Sequence, residues 1–173
     1  RARVAQRDWG ARPVRERLET LRPLLELLVD RRDDLALLVS RETGKPRYEA
    51  LLAEVVPTLD TLDYYLRHAE ALLAPEQLRH RLLRTTRSLL VREPWGVVGL
   101  ITPWNYPLFL TTTIALSALV AGNAVLNKPS EYTPLVGLEL ERLLREAWVA
   151  PALYQCLPGH ADAGVALVEA GCD

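Results

Sequence analysis

From Trp95 to Asp173, short apolar runs alternate with segments of helical length, and this alternation constrains the fold more than any other feature of the chain. The runs are Val97 to Ile101, Ala124 to Asn127 and Leu153 to Leu157. The intervening and following segments, Leu108 to Val120, Pro134 to Trp148 and Ala161 to Ala170, have the length and composition of helices. Strands that alternate with helices in this way build a parallel sheet.

The first half reads differently. Between Val14 and Leu28 the apolar positions Leu18, Leu21, Leu25 and Leu28 recur at three- and four-residue steps, giving an amphipathic helix with Pro23 as a site for a kink. Asp33 is a candidate cap for a second helix through Leu35, Leu38 and Val39, which ends at Gly44 with Pro46 as a stop. A third helix is expected from Arg47 to Leu73. Its apolar stripe runs through Leu51, Leu52, Val55, Val56, Leu59, Leu62, Leu66, Ala69 and Leu73, with a bend at Pro57. After Pro75, the stretch His80 to Val91 mixes Thr, Ser, Leu and Val with arginines and reads as one or two strands at a sheet edge.

Composition excludes several functions. The formal net charge of -1, from 21 Lys+Arg against 22 Asp+Glu, supplies no field to recruit nucleic acid or an anionic membrane. Arg79, Arg81, Arg84, Arg87 and Arg92 lack the interleaved aromatics of a nucleic-acid stripe. The two cysteines, Cys156 and Cys172, are too few for a disulfide framework, which points to a reducing, cytoplasmic setting. No stretch approaches the roughly 20 apolar residues of a membrane-spanning helix, and Arg1 to Arg17 lacks the apolar segment of a signal peptide. His68, His80 and His160 sit in different predicted elements without metal-ligand spacing, so no metal site is expected. There is no methionine, and both ends read as cut; the basic residues are arginine except for Lys45 and Lys128, so a lysine within a motif carries weight.

Two clusters carry chemistry. Ile101-Thr102-Pro103-Trp104-Asn105-Tyr106-Pro107 lies where a strand ends and a helix starts, the edge of a parallel sheet at which ligands bind. Asn105, fixed between prolines, either caps the following helix or aims its amide N–H at a developing negative charge. The second cluster, Gly122-Asn123 followed by Ala124 to Asn127 and then Lys128-Pro129-Ser130-Glu131, lies at the end of the next strand. Lys128 and Glu131 form either an exposed ion pair of about 0 to 1 kcal/mol or a grip on the hydroxyls of a nucleotide ribose.

In order and spacing these clusters resemble the aldehyde dehydrogenase superfamily: Pro-Trp-Asn-Tyr-Pro, then Gly-Asn-Ala-Val, then Lys-Pro-Ser-Glu with Thr133-Pro134. The resemblance reaches upstream through Glu42-Thr43-Gly44-Lys45-Pro46, with Glu49-Ala50 and Glu54, and through Arg92-Glu93-Pro94-Trp95-Gly96-Val97-Val98-Gly99, so it covers nearly the whole chain. It implies an α/β fold in which residues 1–78 form a helical part of the cofactor-binding domain. Residues 79–93 would be an oligomerisation strand segment and residues 94–173 an incomplete Rossmann-like NAD(P)-binding region.

The activity so implied is NAD(P)-dependent oxidation of an aldehyde to a carboxylic acid, through a cysteine thiohemiacetal and a thioester. The nucleophile is expected beyond Asp173, so these residues alone should not turn over. Asn105 would donate its amide to the oxyanion, a contact whose loss costs about 100- to 1000-fold in turnover. Thr102, Pro103 and Trp104 would line the cofactor cleft, Lys128 and Glu131 would bind the adenosine ribose with Pro129 and Ser130 between them, and Gly159 and Gly164 would lie near the pyrophosphate. The carboxylate of Glu131 favours NAD, because a 2′-phosphate would meet like-charge repulsion; NADP remains open. One position departs from the family's Gly-x-Gly: Gly159-His160 is followed by Ala161. The full-length protein is expected to be a homodimer or homotetramer acting on a small-molecule aldehyde. Two alternatives are a non-catalytic nucleotide-binding or scaffolding relative and a dehydrogenase that passes its acyl group to coenzyme A.

Overall fold

The computed structural model describes residues 1–78 and 87–173. The chain opens with α1 (Ala2–Ala11), α2 (Val14–Asp30) and α3 (Arg32–Thr43). Helix α1 has no apolar repeat to announce it; it is held mainly by Trp9, which is 2% exposed and donates its indole N–H to the Leu119 carbonyl at 2.8 Å. In α2 the buried stripe is Leu18, Leu21, Leu24 and Leu28, so Leu24 takes the seat expected for Leu25, and Pro23 lies inside the helix. Arg31, not Asp33, stands at the N-cap of α3. Asp33 and Asp34 fall in the first turn, where negative charge favours the positive end of the helix dipole. Gly44 ends α3 at φ 77°, as its missing side chain allows.

The expected third helix is broken in register. α4 (Arg47–Ala50) passes through a π turn (Leu51–Val55) into α5 (Val56–Leu73). Pro57 has no N–H to offer, and just before it the Val56 N–H reaches back five residues to the Leu51 carbonyl. One extra residue in the turn rotates everything around it by about 100° relative to an unbroken α-helix. Leu52 and Val56, expected in the apolar stripe, are therefore exposed, while Glu54 and Thr58 are buried at 0% exposure.

After α5, β1 (Glu76–Leu78) and β2 (Ser88–Leu90) pair antiparallel, with Glu76 opposite Leu90. The pair starts upstream of the expected strand segment; Arg79, His80, Arg81 and Arg84 lie outside the described residues.

The parallel sheet has the expected order of elements: β3 (Val97–Thr102), α6 (Pro107–Val120), β4 (Ala124–Pro129), α7 (Pro134–Glu146), β5 (Tyr154–Cys156) and α8 (Ala161–Glu169). Its strand order is β3-β4-β5, all parallel, with Ile101 opposite Lys128 and Thr102 opposite Pro129. At the other side of β3, Asp173 donates its backbone N–H to the Val97 carbonyl at 2.9 Å. The fold class is α/β, as the sequence predicts.

Alternate residues of the strands face opposite layers. Helix α8 packs on the face carrying Gly99 and Ile101, whereas α7 comes close to the face carrying Pro129 and Cys156. That approach needs Gly137, where a Cβ would stand 3.0 Å from Cys156 Sγ and 3.1 Å from Pro129. Helix α6 packs on β3 and β4 and also on α2 and α5, with Leu21, Leu62, Leu108 and Leu119 fully buried. Its C-terminal carbonyls accept from Trp9 and from Arg17, whose Nε reaches Val120 at 3.0 Å.

Candidate active site

The β3–α6 loop carries Thr102, Pro103, Trp104 and Asn105 to the C-terminal rim of the sheet. Thr102 is buried, and its hydroxyl donates to Asn127 Oδ1 at 3.2 Å, while Asn127 donates onward to the Tyr154 hydroxyl at 3.0 Å. Pro103, Trp104 and Asn105 are exposed. The N-cap position of α6 belongs to Tyr106, and the Leu108 N–H in the first turn is met by Glu54 Oε2 at 2.8 Å. Asn105 is thus not the helix cap. Its main-chain carbonyl accepts from Lys45 Nζ, and its carboxamide makes no hydrogen bond among the described residues.

One strand over, Lys128 is the penultimate residue of β4, its side chain only 6% exposed, and its ammonium lies 3.2 Å from Glu131 Oε2. The Glu131 side chain is 37% exposed, so the pair joins a buried cation to an accessible carboxylate. A hydrogen bond from its own backbone amide, and then the Lys128 ammonium, hold the Glu131 carboxyl below the usual carboxylate range. Pro129 is tucked under α7, and Ser130 is buried with its hydroxyl accepting from the Tyr132 N–H at 3.3 Å. The turn they make is pinned from outside: Glu42 accepts from the N–H groups of Leu135 and Val136, each at 2.9 Å, and so caps α7.

Between this rim and α8 lies a cleft of about 510 Å³, lined by Ile101, Lys128, Ala161, Gly164, Val165, Val168 and Glu169. Ile101 and Lys128 are register partners on the same face, so their side chains enter the cleft side by side. Gly164 contributes bare backbone to the wall; a Cβ there would meet only Ile101, at 3.9 Å. Gly159 lies in the turn that leads into α8, and a Cβ there would come within 2.6 Å of Ala163. Ala161 puts its methyl at the first residue of α8, against the same cleft.

Comparison with known proteins decides the family. The profile of the Aldehyde dehydrogenase family matches residues 1–171. The chain belongs to the aldehyde dehydrogenase family. A protein of Mycobacterium ulcerans, provisionally named succinate-semialdehyde dehydrogenase with NADP(+) in its name, is 38% identical over 99% of this chain and 33% of its own length. The 4,4'-diapolycopene aldehyde oxidase of a Methylomonas species is also 38% identical, over 100% of this chain and 33% of its own. Among solved structures, PnpE in complex with nicotinamide adenine dinucleotide superposes with a TM-score of 0.88 at 31% identity, covering 97% of this chain and 34% of that one. The chain spans about one third of the length of the relatives it matches.

The two cysteines of this aldehyde dehydrogenase segment lie in different surroundings. Cys156 is buried in β5, and burial, with a smaller contribution from Glu141, pushes its thiol up to about 12, so it stays protonated at neutral pH. Cys172 lies against Gly99 on the face of the sheet that packs on α8. Among the described residues no group of His, Cys, Asp and Glu is arranged to hold a metal ion, and no helix is long and apolar enough to cross a membrane.

Sequence reasoning gave no role to Glu42, Lys45 or Glu54, although the resemblance passes through all three. Two signals were available. Lys45 is one of only two lysines, and Glu54 is a carboxylate beside Val55 in an apolar stripe, a position that burial makes costly unless it is paired.

Proposed function

We propose that the full-length protein oxidises an aldehyde to a carboxylic acid with NAD or NADP as acceptor, and that these residues supply the oxyanion donor and the ribose end of the cofactor site. The observation that carries this reading is the adjacency of two unlike groups on one sheet rim. The carboxamide of Asn105, unpaired among the described residues, follows β3, and the Lys128–Glu131 pair stands at the end of β4 beside it.

The residues suit a dinucleotide. Glu131 offers an accessible acceptor for ribose hydroxyls, and Lys128 fixes that carboxylate while presenting an ammonium to the same sugar. Ile101, Val165 and Val168 give the cleft an apolar wall for a planar base, Gly164 leaves room for close approach, and Gly159 shapes the turn into α8. Pro103 and Trp104 extend the rim towards the reacting end, where Thr102 would contribute main chain because its hydroxyl is already engaged. The cofactor, when bound, takes the hydride. The name of the Mycobacterium ulcerans relative points to NADP and the PnpE complex to NAD. Lys128 is the group that a 2′-phosphate would require beside the carboxylate.

The chain's own part in the chemistry is electrostatic. A cysteine thiolate from outside these residues adds to the aldehyde carbonyl to form a thiohemiacetal, and the oxygen becomes negatively charged. An amide N–H from Asn105 that is not engaged among the described residues can meet that charge without first breaking a bond. Hydride loss then leaves a thioester that water hydrolyses. The aldehyde is selected elsewhere, since relatives named for a semialdehyde and for a diapolycopene aldehyde match this segment equally well. The β1–β2 pair, with Leu78, Leu89 and Leu90 exposed, suits a contact between subunits of a homodimer or homotetramer.

Two substitutions in the full-length protein test the reading. Asn105→Ala should lower kcat about 100- to 1000-fold while leaving cofactor affinity unchanged. Undiminished turnover would remove the amide from the chemistry. Glu131→Ala should raise the Kd for the cofactor, read by quenching of protein fluorescence, and leave kcat at saturation near that of the parent. An unaltered Kd for both NAD and NADP would take Glu131 out of the site.

A further inference from the structure

We propose that Lys45 and Glu54 are positioning residues for the reaction, a buried ion pair that sets where the Asn105 amide points. The inference rests on the oxyanion role proposed above for Asn105.

The geometry converges on one loop from two sides. Lys45, in the turn after α3, places its ammonium 2.5 Å from Glu54 Oε1, with side-chain exposures of 15% and 0%. The same ammonium donates to the main-chain carbonyl of Asn105 and lies 3.9 Å from the centroid of the Tyr106 ring. The other oxygen of Glu54 accepts from the Leu108 N–H at 2.8 Å. Two residues from the helical half thus hold the backbone at Asn105 and at Leu108, on either side of the Tyr106-Pro107 link, while the Asn105 carboxamide is left without a partner among the described residues.

Each component exists for an identifiable reason. Glu54 points inward because the π turn at Leu51–Val55 rotates it into the apolar stripe. A carboxylate at 0% exposure requires a cation and hydrogen-bond donors, and Lys45 and Leu108 provide them. Helix stability alone would ask only for a neutral cap at the start of α6. The ammonium adds a bond to the Asn105 carbonyl, which no helix needs, and that bond fixes the peptide bearing the reactive amide. An amide has to lie within a few tenths of an ångström of its place to stabilise an oxyanion, and a displacement of about 1 Å can cost about 100-fold in rate.

The test uses the full-length enzyme and four variants. Lys45→Met alone leaves a buried charge unpaired and destabilises the fold, so the informative variant is Lys45→Met/Glu54→Gln. It is neutral, and its glutamine oxygen can still accept from Leu108, but it has lost the tether to Asn105. The double variant should melt cooperatively and bind NAD with the parent's Kd, while kcat falls about 10- to 100-fold. Adding Asn105→Ala to it should lower kcat by less than Asn105→Ala does in the parent, because the amide is already misplaced. Lys45→Arg, which keeps the cation, should recover part of the loss.

Parent-like kcat in the double variant, with Asn105→Ala still crippling, overturns the positioning role and leaves the oxyanion reading intact. Fully multiplicative losses also overturn it, since the pair then acts on something other than Asn105. No effect of Asn105→Ala in the parent brings down both readings together.

Discussion

The α7 cap is the sharpest place to perturb the fold beside the proposed cofactor site. Glu42 belongs to the last turn of α3, yet its two carboxylate oxygens accept from Leu135 and Val136, more than ninety residues away, each at 2.9 Å. Those amides are in the first turn of a helix and have no acceptor within it. The residue at the N-cap position, Thr133, does not help: its hydroxyl is buried and without a partner among the described residues. Replacing Glu42 by Ala therefore frees both N–H groups at once.

A hydrogen bond to a charged group contributes about 1.5 to 3 kcal/mol when well buried. Glu42 is only half-buried and Leu135 is exposed, so about 1 kcal/mol for each bond is the better figure. The loss of about 2 kcal/mol corresponds to about a 30-fold shift in the local opening equilibrium of the Ser130–Val136 turn. Hydrogen exchange on the full-length protein, followed by mass spectrometry over peptides spanning residues 130–140, should show this as lost protection at Leu135 and Val136. Cofactor Kd should rise by at most the same factor, since Lys128 and Glu131 precede the same helix. Glu42→Gln, which keeps one strong acceptor, should fall between the two. Unchanged exchange in Glu42→Ala would refute the cap and, with it, the claim that the C-terminal end of α3 braces the β4–α7 loop.

Gly159→Ala should destabilise the turn into α8 and weaken cofactor binding, because the new methyl would stand 2.6 Å from Ala163 Cβ; adding Ala163→Gly should restore both, as measured by melting and by fluorescence titration. Cys156, whose thiol is pushed up to about 12, should remain unalkylated when the native protein is treated with iodoacetamide at pH 8, and Cys156→Ala should retain turnover.

The sheet was legible because its elements are local. Each strand of the parallel sheet is a short apolar run and each crossover a separate helical segment, and the observed limits fall within a residue or two of the expected ones. Where the expectation failed, a nonlocal or register effect intervened. Helix α1 is held by Trp9 on α6, a contact no periodicity within residues 2–11 can express. Leu52 and Val56 left the core because one residue inserted ahead of Pro57 rotated their seats away from it. In the site, the residue types at Asn105, Lys128 and Glu131 could be read off their motifs, but the choice between a cap and a free amide could not. That choice was made by Glu54, a residue 51 positions earlier.

The C-terminal turn of α3, with Gly44 and Lys45 after it, therefore matters to both loops. Within four residues it supplies Glu42 to the start of α7 and Lys45 to the loop before α6, the two helices that follow the two strands bearing the proposed site. A parallel sheet aligns strand ends only to within the freedom of the loops that leave them. Bracing both loops from one short, glycine-terminated turn removes much of that freedom in a correlated way: a shift of the turn would move the Asn105 carbonyl and the α7 N-terminus together. The proposed positions of the cofactor's adenosine ribose and of the oxyanion donor would then be set by the helical layer as much as by the sheet. Single substitutions at either end of the turn should therefore misplace one loop and spare the other, with Glu42 variants changing cofactor Kd and Lys45 variants changing kcat.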